Sequence, residues 1–246
     1  MTKRVISVFL CVLCVISSIS FIVSAKENKE YTSDNFLSVA DGIIAWKKAD
    51  NGSEPDGYLI NDKYLENAGT TPGDWYPIAL GRLGIQDNNE GYLAVIKDRV
   101  EERYRESGRL SAAKATEWHR IALAVLAMGG DPTNFGTDEN GAPINLIADG
   151  TYDRGKTTPL GRQGINGWIW GLITLDSMRY TVPDGAYNTR DDIIVEIISK
   201  QLSDGGFALS SDDADPDITA MAITALAPYY NSEKIYSYHR KALSAD

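Results

Sequence analysis

Asp74-Trp75-Tyr76-Pro77-Ile78-Ala79-Leu80-Gly81-Arg82-Leu83 is the stretch from which the rest of the chain can be read. It returns three times: as Glu117-Trp118-His119-Arg120-Ile121 running on to Leu126, as Asn166-Gly167-Trp168-Ile169-Trp170 running on to Leu175, and as Asp217-Ile218-Thr219-Ala220-Met221 running on to Leu226. Each copy begins on a polar residue, carries a large apolar side chain four positions later and a leucine nine positions later. The copies are spaced by 43, 49 and 51 residues. Self-similarity at such a period marks a repeat architecture, because no single unit can bury its own apolar face.

The segments between the copies are helical in a different way. Residues 90–106 put Leu93, Ile96, Val100 and Tyr104 on one stripe and turn Lys97, Asp98, Glu101, Glu102 and Arg105 away from it. Residues 190–201 repeat that pattern with Ile193, Ile194, Ile197 and Ile198. A one-sided stripe belongs to a surface helix, whereas residues 121–128 and 168–175, apolar nearly all round, belong to helices covered on every side. Buried and surface helices therefore alternate, joined by turn chemistry at Pro72-Gly73, Gly129-Gly130, Pro183-Asp184-Gly185 and Asp204-Gly205-Gly206. The expected fold is all-α: an αα-toroid, partial or small, of about four repeats with alternating inner and outer helices. An open arc of this kind leaves apolar edges, which predicts self-association or pairing with another surface protein.

Upstream of the repeats, Lys3 and Arg4 precede an apolar run from Val5 to Val23, and Val23-Ser24-Ala25 offers small residues for cleavage. That order predicts a signal peptide over residues 1–25, one toroid domain over 26–246, and a secreted or cell-surface location. The chain's 2 cysteines, Cys11 and Cys14, both fall in the leader, so no disulfide framework holds the remainder together. The whole chain carries 24 basic and 34 acidic residues, a net charge of −10, and removal of Lys3 and Arg4 makes it −12. Such an excess repels phosphate backbones, so nucleic acid is not an expected partner.

Gln201-Leu202-Ser203-Asp204-Gly205-Gly206-Phe207 ends an outer helix, turns on two glycines and delivers an aromatic before the next inner helix. It resembles the Gln–Gly–aromatic repeat of the terpene cyclase and prenyltransferase toroid superfamily over roughly residues 34–246, with weaker copies at Asp56-Gly57-Tyr58 and Asp184-Gly185-Ala186-Tyr187. The resemblance implies that the glutamine ties the outer helix to the following inner helix. Asp215-Pro216-Asp217-Ile218-Thr219-Ala220 is similar to the class II cyclase signature, which would make Asp217 the general acid and Asp215 its neighbour, although Ile218 stands where that signature has a further aspartate. The zinc-dependent prenyltransferases need a cysteine ligand that the chain lacks beyond its leader. The phrasing Asp-Pro-Asp-x-Thr-Ala-Met-Ala and the Asp-Trp helix start are similar to bacterial secreted toroid-repeat proteins, with the toroid half of cobalamin carriers as a further likeness. That relation implies binding or attachment.

Two kinds of residue are candidates for a site. Asp74, Glu117, Asn166 and Asp217 share one register at the helix starts, where caps belong, and that register places them around one mouth of the ring. Trp75, Trp118, Trp168 and Trp170, with His119, either fill the core or line a cavity for an apolar or ring-bearing small molecule. The leading expectation is an exported, non-catalytic module that binds a ligand or another surface protein. The alternatives are a divergent class II cyclase and a carbohydrate-active toroid using Glu117 and Asp217. No cofactor or metal is called for, since the 2 histidines, His119 and His239, lie far apart.

Overall fold

The computed structural model describes residues 33–154, 159–238 and 241–243. The proposed leader lies outside the described residues. The chain divides into two compact units, one ending at Asp50 and the other beginning at Asn51. Helix α1 (Ser33–Asn51), all but its last residue in the first unit, exposes Phe36, Leu37, Val39, Ile43 and Trp46, and Lys47 pairs with Asp50 at 2.6 Å.

The second unit is helical. In chain order it holds α2 (Asp62–Leu65), α3 (Thr71–Leu83), α4 (Asn89–Ser107), α5 (Thr116–Ala127), α6 (Leu146–Gly150), a 3-10 turn (Leu160–Gln163), α7 (Ile165–Asp176), α8 (Arg190–Ile198), α9 (Pro216–Leu226) and a second 3-10 turn (Ala227–Tyr229). Strands Tyr236–Tyr238 and Lys241–Leu243 then form a short antiparallel ladder. No helix among the described residues is long and apolar enough to cross a membrane.

The four repeated segments are α3, α5, α7 and α9, and they pack in sequence: α3 on α5, α5 on α7, α7 on α9. Their burial follows their place in that row. On α5 the buried residues are Trp118, His119, Arg120, Ile121, Ala122, Ala124 and Val125, and α7 is buried nearly as fully. On α3 they are only Gly73, Asp74, Pro77 and Leu80, and on α9 only Ile218, Ala222 and Ala225. A helix at the end of a row has one uncovered flank, and there Ile223 of α9 is 61% exposed. Close approach of α3 and α5 depends on Gly81, where a Cβ would overlap the Ala127 carbonyl.

The surface helices behave as their stripes require. In α8, Ile193, Ile194, Ile197 and Ile198 are all buried. In α4 the buried positions are Tyr92, Ile96, Val100 and Tyr104, so Tyr92 takes the place expected for Leu93. The reason is polar: the Tyr92 hydroxyl donates to Asp74 at 2.7 Å inside the core.

The glycine turn departs from what its resemblance implies. The Gln201 side chain donates to the Gly205 carbonyl at 3.0 Å, within its own turn. The tie to the next inner helix is made by Thr219 of α9, whose hydroxyl accepts from the Phe207 amide at 2.9 Å and donates to the Phe207 carbonyl at 3.2 Å. Phe207 is buried, while Tyr58 and Tyr187 of the weaker copies are exposed. Gly205, at φ 88°, supplies the left-handed bend.

Candidate functional site

A cleft of about 300 Å³ opens at the N-terminal ends of the repeated helices. Thr71 and Trp75 enter it from α3, Thr116, Glu117 and Arg120 from α5, Asn166 and Trp170 from α7, and Met221 from α9. Lys114, just before α5, and Gln163, in the 3-10 turn before α7, complete the lining. Trp75 and Trp170 form its aromatic wall, with ring centroids 5.6 Å apart and planes inclined at 57°. Trp75 is 43% exposed and leaves part of its indole bare.

The floor is an ion-pair network centred on Arg120. Its Nε donates to Asp74 at 2.8 Å, and its two terminal nitrogens grip Glu117 at 2.6 and 3.1 Å. The remaining donors reach Thr71 Oγ1 at 3.3 Å and the Gly69 carbonyl at 3.2 Å, which satisfies all five guanidinium N–H groups. Asp74 is 0% exposed and also accepts from the Gly69 amide and the Tyr92 hydroxyl, both at 2.7 Å. Arg103 adds a second cation to Glu117 at 3.5 Å.

The charges follow from this geometry. Burial drives the Asp74 carboxyl above the ordinary aspartate value, against the pull of Arg120 and Tyr92. For Glu117, burial also works upward, but Arg120, Arg103 and Lys114 together outweigh it and hold the carboxyl below its usual value. Burial disfavours the Arg120 charge, yet Glu117 and Asp74 more than restore it. Glu117 is thus held as a carboxylate in the grip of the Arg120 guanidinium, a state suited to accepting hydrogen bonds and not to donating a proton.

The register residues are not the caps that their positions suggested. Asp74 is the fourth residue of α3, because the helix already starts at Thr71 and uses Pro72 in its first turn. Glu117, Asn166 and Asp217 are each the second residue of their helices. The N-cap positions of α3, α5 and α7 are Thr70, Ala115 and Gly164, and none of the three makes a side-chain capping bond. Of the four repeated helices α9 alone is capped in this way: Asp215 Oδ1 accepts from the Asp217 and Ile218 amides at 2.8 and 3.0 Å. Asp217 itself is exposed and stands outside the cleft lining.

The aromatic candidates separate in the same way. Trp75 and Trp170 face the cleft. Trp118 is fully buried elsewhere, its indole donating to the Tyr104 hydroxyl at 2.8 Å with the Arg154 guanidinium 4.6 Å over its ring. Trp168 lies against the 3-10 turn, where a Cβ on Gly161 would come within 2.5 Å of its Nε1. His119 is 1% exposed and its Nε2 sits 2.7 Å from the Gly150 carbonyl, so Nε2 carries the proton and Nδ1 is bare. Burial lowers its pKa to about 3, and the ring stays neutral.

The glycines of the Gln201–Phe207 turn, Gly205 and Gly206, border a separate open hollow of about 500 Å³ with Thr219 and Ile223. Among the described residues no group of three or more His, Cys, Asp and Glu side chains is placed to hold a metal. No protein-family model, curated protein or solved structure matches the chain, so the chemistry of the cleft has to be taken from its own residues.

Proposed function

We propose that this chain is an exported ligand-binding module, an open αα-toroid arc whose inner helices are α3, α5, α7 and α9. A ring-bearing small molecule lies against Trp75 and Trp170 in the cleft at their N-terminal ends. One observation carries the reading: all four repeated helices contribute side chains to one cleft, and its wall is a pair of indoles of which one is 43% exposed. Binding rather than turnover is the favoured role, because Glu117 is held by two arginines and Asp74 by one. The cyclase alternative gains no support from the exposed Asp217 or from Asp215, whose carboxylate is used as a cap.

Native mass spectrometry of the protein recovered from the culture medium tests the proposal. The mature chain is expected to begin near Lys26 and to retain a small molecule. Trp75→Ala is expected to lose that molecule while keeping the wild-type circular dichroism spectrum, since the indole is so widely exposed. A folded Trp75→Ala protein that retains its ligand unchanged removes the cleft as the binding site.

A further inference from the structure

Resting on that binding reading, we propose that the cleft selects a single sugar ring bearing a carboxylate, a hexuronate. Three features independent of one another point to this class.

The first is the local surplus of positive charge. Lys114 lines the cleft, is exposed, and makes no side-chain hydrogen bond or ion pair among the described residues. Glu117 lies close by but is already neutralised by the two-pronged grip of Arg120 and by Arg103. The helices α3 and α7, of 13 and 12 residues, present first turns to the cleft without a side-chain cap, whereas the first amide of α5 is answered by Gln163. The uncapped ends of α3 and α7 add the partial positive charge of the helix dipole to that of Lys114. Over a chain whose net charge is −10 this is a local reversal of sign, and it disfavours a cationic ligand on the indoles.

The second feature is polarity around the ring. Gln163 uses its Oε1 to accept from the Thr116 amide and hydroxyl, both at 3.2 Å, which leaves its carboxamide N–H groups as donors. Asn166 Oδ1 is buried, lines the cleft, and has no hydrogen-bond partner. A buried acceptor without a donor is costly, and a ligand hydroxyl removes that cost where an aromatic acid would leave it. The third feature is size. A cleft of about 300 Å³ is at the lower limit for small-molecule sites, room for one ring laid against the Trp75–Trp170 wall.

The test is a titration of tryptophan fluorescence in the mature protein with glucuronate, glucose, glucosamine and benzoate, repeated on Lys114→Gln. Glucuronate is expected to bind about tenfold more tightly than glucose, the effect of one partly exposed ion pair added to helix-end dipoles. Glucosamine is expected to bind more weakly than glucose, and benzoate more weakly than glucuronate. Lys114→Gln, a change at an exposed side chain, is expected to bring the glucuronate affinity close to that of glucose on the same variant. Equal binding of glucuronate and glucose, or a preference that survives Lys114→Gln, overturns the charge selection and leaves the binding module standing. Benzoate binding as well as glucuronate overturns the sugar assignment alone. If none of the four binds, this inference falls, and the cleft reading is decided separately by ligand retention in Trp75→Ala.

Discussion

Replacing Arg120 by methionine tests whether the floor of the cleft is also what joins the first repeat to the second. The side chain keeps its length and its apolar stem but loses all five donors, and Asp74 is left 0% exposed with only Tyr92 and Gly69 to answer its charge. Removing one partner of a buried pair costs about 3–5 kcal/mol, because the other charge stays behind uncompensated. That is a large part of the ~5–15 kcal/mol that stabilises an ordinary domain. At roughly 2–4 °C per kcal/mol for a domain of this size, the melting temperature is expected to drop by about 6–20 °C. Urea unfolding followed by circular dichroism measures the loss, and the double variant Asp74→Asn/Arg120→Met provides the decisive comparison. Neutralising Asp74 removes the stranded charge, so the double variant is expected to be more stable than Arg120→Met alone, by about 1–2 kcal/mol. The deficit of Arg120→Met also has a sign in pH. Without the guanidinium, Asp74 takes up a proton more readily in the folded state, so the gap to wild type narrows as the pH falls through that raised value. A loss below about 1 kcal/mol, or a double variant no better than the single, refutes the account of Arg120 as the hub.

Two further outcomes follow from buried and capping groups. His119 has a folded pKa of about 3 against 6.5 for the free group, so it stays neutral in the fold while the unfolded chain takes up a proton. Stability is therefore expected to fall from about pH 6.5 downward to about pH 3, by roughly 1.4 kcal/mol per unit from this group alone. His119→Gln, which can still donate to Gly150, is expected to flatten that slope; an unchanged slope in urea unfolding from pH 7 to 4.5 contradicts it. At the start of α9, Asp215→Ala is expected to lose about 1 kcal/mol with its two amide bonds, and Asp217→Asn less than about half of that. A larger loss at Asp217 than at Asp215 in the same melts reverses the assignment of the cap.

Much of the helical order was legible because periodicity reports burial directly. Ile193, Ile194, Ile197 and Ile198 share one face in the sequence and one interior in the structure. The all-round apolar segments became α5 and α7, the two helices with neighbours on both flanks of the row. Local pattern could not distinguish a cap from an inward-facing side chain in the first turn. Asp74 and Asp217 hold the same register, yet one is 0% exposed against Arg120 and the other faces solvent, because α3 starts three residues ahead of Asp74 and α9 only one ahead of Asp217. Arg120 did leave a trace: it is the one charged residue between His119 and Met128, and a lone cation on a covered helix requires a buried anion. Gln163 and Lys114 left none, since both precede their helices in unpatterned segments and reach the cleft only through the packing of α5 on α7.

The division of labour within the cleft decides which substitutions can report on the proposed binding. Asp74 from α3, Tyr92 from α4 and Arg120 from α5 meet in one network of bonds between 2.7 and 2.8 Å, so loss of any of them disturbs the seating of three helices at once. A drop in binding after such a change says nothing specific about recognition. Trp75 and Lys114 differ in kind: both are exposed, Trp75 is 43% bare, and the Lys114 side chain joins no ion pair among the described residues. Changes at exposed positions without buried partners generally cost within about 0.5 kcal/mol of stability. Binding lost at Trp75 or Lys114 with the unfolding curve unmoved is therefore expected to report lost contact with the proposed ligand, and the same loss accompanied by a lower melting temperature is evidence that these residues hold the packed helices together instead.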